Sequence, residues 1–176
     1  MTIEQERKAI DEVLNIYRGR LDTIPDDQFD LTPPGGGWSY AEVYSHILQA
    51  NLSSTIAAEK CTLNTCKPTS KGRSAIGFFV LTFNCFPPFP VRVPKGVATV
   101  IPAKKISKEE ARNLLVKCRK RVDSVAQLIR DSSPHCKIKH ARLGMLNAAQ
   151  WFKFILVHSK HHLKQLDRVE KKVQTR

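Results

Sequence analysis

His158 and His162 stand four residues apart in the C-terminal stretch of the chain. In a helix turning ~100° per residue they lie ~40° apart, so both rings project from one face. Trp151, Ile155 and Val169 fall within about 60° of His158 on the same wheel, which makes that face the apolar one. Burying two neutral imidazoles without partners costs on the order of a few kcal/mol. A divalent cation satisfies both, because i,i+4 histidines reach one ion, although no Glu follows the first His as it does in the zincin helix. Hydrogen bonding, or exposure of the pair, is the other reading of the spacing. His161 lies ~60° from His158 in the opposite sense, nearer the edge of the stripe, so a His158–His161 pairing points inward less squarely. His46 supplies a third inward imidazole, sharing a face with Val43, Ala50 and Ala57. Three His on two facing helices leave coordination positions for water or substrate, the arrangement of a catalytic rather than a structural metal centre.

The residues around this trio offer no clear general base. Glu42 precedes His46 by one turn, but its spacing from Ser39 makes it the acid of a helix cap. Gln165 sits near the phase of His158, one turn beyond His162, where it could orient a ligand or simply be a polar core residue. Trp38 and Trp151 read as packing residues that could also wall a pocket. Cys118 reads as core. Cys61 and Cys66 are helix-end or loop thiols without a base, and His135 and His140 flank the basic stretch Cys136–His140 as structural or exposed residues.

Four helical stretches must position these groups. Ile3, Ile10, Val13, Leu14, Tyr17, Leu21 and Ile24 recur at helical spacing before Pro25. A second helix begins with the capping box Ser39–Glu42 and runs past Ala57; a third begins with Ser107–Glu110 and closes at Asp131–Pro134. The fourth starts near Asn147 and runs to about Val173. Residues 62–106 form a long connection holding six of the ten prolines, with one apolar patch, Ala75–Leu81, that reads as a short helix. The pattern predicts an all-α four-helix bundle with a long crossover between helices 2 and 3, as one domain over residues 1–176.

The chain has 176 residues and a formal charge of +13, unevenly spread. Residues 1–30 carry four bases and eight acids, whereas 61–106 carry seven bases and no acid. An acidic first helix can therefore pack beside basic ones and neutralise part of the excess. At 41% hydrophobic residues the chain is too apolar for a disordered basic tail. It holds no apolar run of ~18 residues, so no membrane span is encoded. Its start is charged and lacks the apolar core of a signal peptide. Five cysteines, an odd number with no CxxC, argue against a secreted disulfide framework and against a cysteine zinc site. A cytoplasmic protein is expected.

Two motifs resemble the DinB/YfiT-like family of metal-dependent enzymes. Pro34-Gly-Gly-Gly-Trp38-Ser39-Tyr-Ala-Glu42-Val-Tyr-Ser-His46 is similar to the family's Gly-Trp-Ser…Glu-Val…His entry into the second helix. His140-Ala-Arg-Leu-Gly144, followed by Gln150-Trp151 and by His158-Ser-Lys-His161-His162-Leu-Lys-Gln165, is similar to its Gly-x-Leu…Trp…His-x-x-His-His-x-x-Gln pattern. The resemblance implies a four-helix bundle in which His46, His158 and His162 hold a divalent ion, often nickel or zinc, with water. His161, Gln165 and Trp151 then fall around that site. Family members include bacillithiol-using thiol transferases and a mycothiol-dependent maleylpyruvate isomerase, so a low-molecular-weight thiol cosubstrate is one implication. Where the family loop often reads His-Pro-x-Phe-Gly, this chain has His140-Ala-Arg-Leu-Gly144, a change at the mouth of the site that bears on substrate class.

Two functions follow. In the first, the protein is a metal-dependent hydrolase or thiol S-transferase acting on a small molecule, which the excess positive charge would favour as an anion. In the second, it is a basic helical module in which Lys117, Arg119, Lys120 and Arg121 meet an anionic partner such as nucleic acid. Those four residues fan around the whole helix circumference and accompany no nucleic-acid motif, so nucleic acid is the weaker partner. Pairing of two bundles into a homodimer through an exposed helix face is also expected.

Overall fold

Helix α1 (Ile3–Thr23) begins at a capping box in which Thr2 and Gln5 satisfy each other's backbone amides. Pro25 follows its end and opens the single turn of α2 (Asp26–Phe29). Helix α3 (Tyr40–Thr62) starts at the Ser39–Glu42 box, with the Glu42 carboxylate accepting from both the Ser39 amide and hydroxyl. Ser74 caps α4 (Ala75–Phe83), and the Ser107–Glu110 box opens α5 (Lys108–Ile129). After the hairpin β1 (Ile138–His140) and β2 (Gly144–Leu146), Asn147 and Gln150 cap one another reciprocally at the start of α6 (Ala148–Gln174). This computed structural model describes residues 1–63, 66, 68–87 and 103–174, so residues 88–102 of the expected crossover lie outside the described residues.

The four long helices form a bundle whose ring order is α1–α5–α3–α6. Helices adjacent in sequence, α1 with α3 and α5 with α6, sit across its diagonals. Cross-helix bonds fix the directions. The Tyr17 hydroxyl donates to the Ser159 carbonyl and Arg20 pairs with Asp167, so α1 and α6 run parallel. Arg7 pairs with Asp123 and Asp22 with Arg112, so α1 and α5 are antiparallel. Asn51 meets Ser159 while Cys61 lies on the Leu146 carbonyl, so α3 and α6 are antiparallel. With α3 and α5 consequently parallel, the chain must return along the full bundle length between them, and this is why the connection is long.

The core is the shared inner surface of these helices: Ile10, Leu14, Tyr17 and Leu21 from α1, Val43, Ile47 and Leu48 from α3, Leu115, Cys118 and Val125 from α5, and Phe152, Ile155 and Leu166 from α6. Burial of each large apolar side chain contributes about 1.5–3 kcal/mol against its exposure. Among the described residues no helix is long and apolar enough to cross a membrane.

Periodicity predicts the four long helices and the helical patch in the crossover, and both are present. It misses α2 and the β1–β2 hairpin, which are too short to establish a period. It also misses a covalent tie. Cys66 is not a free thiol but forms a disulfide with Cys136, 70 residues away, beside the backbone bridge Pro68–Cys136. Spacing alone cannot identify partners so far apart. Cys61 and Cys118 are buried free thiols, whose pKa burial raises to about 11 and about 12.

Candidate metal centre

His46 enters from the second turn of α3, and His158 and His162 from successive turns of α6, on the interface where these two helices pack. One nitrogen from each ring lies within 4.8 Å of those from the other two. The Nε2 atoms of His158 and His162 are 3.0 Å apart, and their rings are nearly perpendicular. His158 and His162 are buried and His46 is partly so. The i,i+4 spacing thus delivers both α6 imidazoles to one point, and the antiparallel packing of α3 brings His46 against them.

Burial is the main cause of the electrostatic state of this cluster. It holds His158 well below the usual imidazole range, and the neighbouring rings of His162 and His46 add to the effect. Burial and His46 likewise lower His162 to about 3. The His158 and His162 rings are therefore neutral at ordinary pH, the state in which imidazole is a ligand. Gln165 settles one tautomer: its Oε1 lies 2.7 Å from His162 Nδ1 and accepts that N–H, so His162 Nε2 carries its lone pair toward His158. Three imidazoles, the two of α6 neutral and one of those with its second nitrogen already held by an amide oxygen, match the donor set of a divalent transition metal. No carboxylate joins the cluster among the described residues, and Glu42 is engaged as the α3 cap.

Aromatic rings enclose the trio. Trp38, just before α3, packs 5.0 Å from His46 and lies parallel to His162. Phe154 stacks on His158 with centroids 4.9 Å apart. Phe86, beyond α4, covers His161 at 4.5 Å and approaches His158 at 6.1 Å. Of the accessory residues expected near the trio, Gln165 bonds it directly and His161 touches His162 ring to ring at 5.2 Å. Trp151 is one layer removed, meeting His158 through Phe154. Phe86 is not visible in the sequence, since it sits in a crossover without periodicity.

His140 proves structural and half-buried. Its Nδ1 accepts from the Arg142 and Leu143 amides at 3.1 and 3.2 Å, closing the turn between β1 and β2. Its ring packs on Trp151 and Phe154, and burial, then Arg142, lowers its pKa to about 4. The turn is clamped from α4 as well: Ser74 donates through Oγ to the Arg142 carbonyl and through its amide to Leu143. Gly144 has φ +85° and lies so close to the Ser74 amide that a side chain there would collide with it.

A cleft of about 1320 Å³ lies at the other end of the bundle, lined by Arg7, Asp123, Arg130 and Asn147 among others, and it includes none of the three histidines. Of the basic α5 residues considered for a nucleic-acid partner, Arg119 pairs with Asp11 and Arg121 with Glu59.

The DinB superfamily model matches residues 9–166. The chain belongs to the DinB superfamily. Two solved structures share its fold. One is TT2238, a four-helix bundle protein, at 15% identity and TM-score 0.59, covering 95% of this chain and 99% of that one. The other is YfiT from Bacillus subtilis, described as a probable metal-dependent hydrolase with an unusual four-helix bundle topology, at 14% identity and TM-score 0.60, covering 96% and 86%. No curated protein matches the chain. At these identities the structural likeness establishes the four-helix bundle fold.

Proposed function

We propose that the protein is a metal-dependent enzyme of the hydrolase or thiol S-transferase type, with His46, His158 and His162 holding one divalent ion, nickel or zinc. The observation that carries this reading is the convergence of three imidazole nitrogens, two of them from buried rings, within 4.8 Å of one another. The description of the similarly folded YfiT as a probable metal-dependent hydrolase supports it. A bound ion of this kind lowers the pKa of coordinated water or of a thiol. The chain's own residues hold and shield the site. Gln165 fixes the His162 ring, Phe154 fixes the His158 plane, and Trp38 and Phe86 keep bulk water from two sides. With three protein ligands, the site would leave a position for a small-molecule substrate or a thiol cosubstrate.

Elemental analysis of freshly purified protein tests the assignment. Wild type should carry about one divalent ion per chain, and His158→Ala or His162→Ala should carry almost none, since removing one of three ligands leaves too few donors. His46→Ala checks the α3 contribution. Metal content unchanged by all three substitutions would overturn the site. Loaded protein would then be screened with thiol donors and with ester and amide substrates to separate transfer from hydrolysis.

A further inference from the structure

We infer that Tyr17, on a helix that supplies no ligand, is a positioning residue for the histidine site, joining the turn of α3 that carries His46 to the turn of α6 bounded by His158 and His162. The purpose of this arrangement rests on the metal-enzyme reading; its geometry rests on hydrogen bonds within the protein.

The bonds form a closed circuit. The Tyr17 hydroxyl donates to the Ser159 carbonyl at 2.9 Å, and the Tyr17 carbonyl accepts from the Tyr44 hydroxyl at 2.7 Å. Asn51 Nδ2 donates to Ser159 Oγ at 3.0 Å. Helix α3 is thus tied to α6 twice, directly through Asn51 and by way of α1 through Tyr44 and Tyr17. All four residues are buried, so these bonds act in a low-dielectric interior where water does not compete. The Tyr17 and Tyr44 rings meet edge to face with centroids 5.6 Å apart, which orients both hydroxyls.

The ties fall at the level of the ligands. Tyr44 precedes His46 by two residues and Asn51 follows it by five, while Ser159 lies between His158 and His162. Tyr44 and Asn51 share a face of α3, ~20° apart and ~10 Å apart along the axis, and His46 is turned ~160° from Tyr44. The circuit therefore lies on the core side of the α3–α6 contact and the trio on its outer side. Two ties ~10 Å apart oppose both sliding and tilting of α3 against α6, the motions that would carry His46 away from the α6 imidazoles. Asn51 Oδ1 is buried without a partner, a cost to stability that an apolar side chain would avoid. The Asn51 bond thus contributes placement more than strength.

The test uses cobalt(II), whose visible absorption reports the arrangement of its ligands. Tyr17→Phe and Tyr44→Phe each remove one hydroxyl and keep the ring. Each should weaken cobalt binding about tenfold in competition with a chelator and shift the visible bands. Val125→Ala, a core truncation on α5 outside the circuit, should lower the unfolding midpoint and leave cobalt affinity and bands as in wild type. In metal-free protein the imidazole nitrogen NMR signals of His158 and His162 should move in both tyrosine variants and stay in place in Val125→Ala. Tyrosine variants that lose stability yet keep wild-type affinity, bands and imidazole signals would overturn the inference. So would an equal loss of affinity in Val125→Ala, since general loosening would then suffice. If wild type takes up no cobalt and the imidazole signals still move in the tyrosine variants alone, the circuit stands and the metal assignment fails.

Discussion

Two regions carry cations of the same kind and use them differently. Along the α1–α5 seam each charge meets its opposite: Asp11 with Arg119 at 3.0 Å, Asp22 with Arg112 at 3.3 Å, Asp123 with Arg7 at 2.9 Å and, beyond α1, Asp26 with Lys108 at 2.8 Å. On the C-terminal half of α6 the exposed Lys164 and Arg168 have no such carboxylate among the described residues. Partly exposed ion pairs contribute about 0.2–1 kcal/mol each, so the seam chiefly selects which helices lie side by side. A formal +13 therefore says less about a partner than where it remains uncancelled.

The largest expected effect separating the regions lies at Gln165. Gln165→Ala should weaken metal binding about 10–100-fold by freeing the His162 ring, and Arg119→Ala should not change it. Competition with a chelator checks both. If the two variants behave alike, the site does not depend on its local supports and the contrast fails.

A smaller effect is expected in the pH dependence of stability. The folded protein holds His140 at about 4, below its ordinary value near 6.5, so the unfolded chain binds the extra proton between those values. Stability should rise with pH across that window, and the His140 contribution should be complete above it. His140→Asn keeps an acceptor at the Nδ1 position without the titration, so its unfolding free energy should rise less steeply from about pH 4 to about 6.5. Denaturant unfolding of metal-free protein measures this, and an unchanged slope would refute the assignment. The smallest effect belongs to the seam. A double-mutant cycle on Asp11 and Arg119 should give a coupling below about 1 kcal/mol that fades with added salt.

What the sequence revealed follows from the range of the forces involved. Ser39–Glu42, Ser107–Glu110 and Asn147–Gln150 act within one helical turn, so the helix starts were readable. The phase of His158 and His162 is equally local, and the structure places both rings on the buried stripe as expected. The expected neutralisation of the acidic first helix also appears, as the seam. The role of His140 was less accessible, because it depends on Ser74 and Trp151 meeting it from other elements. The Cys66–Cys136 tie and the packing of Phe86 on His161 depend on how the crossover is laid down, for which no spacing rule exists.

The ring order α1–α5–α3–α6 has a consequence for assembly. Every side of the square joins a helix from the first half of the chain to one from the second, and neither half has a side of its own. A chain interrupted between α4 and α5 would thus yield two fragments, each lacking an internal helix–helix face and each complementary to the other. With the Cys66–Cys136 disulfide reduced, their meeting would be bimolecular, with a melting point that depends on concentration. Because His46 belongs to one fragment and His158 and His162 to the other, the appearance of a three-histidine centre would report their union.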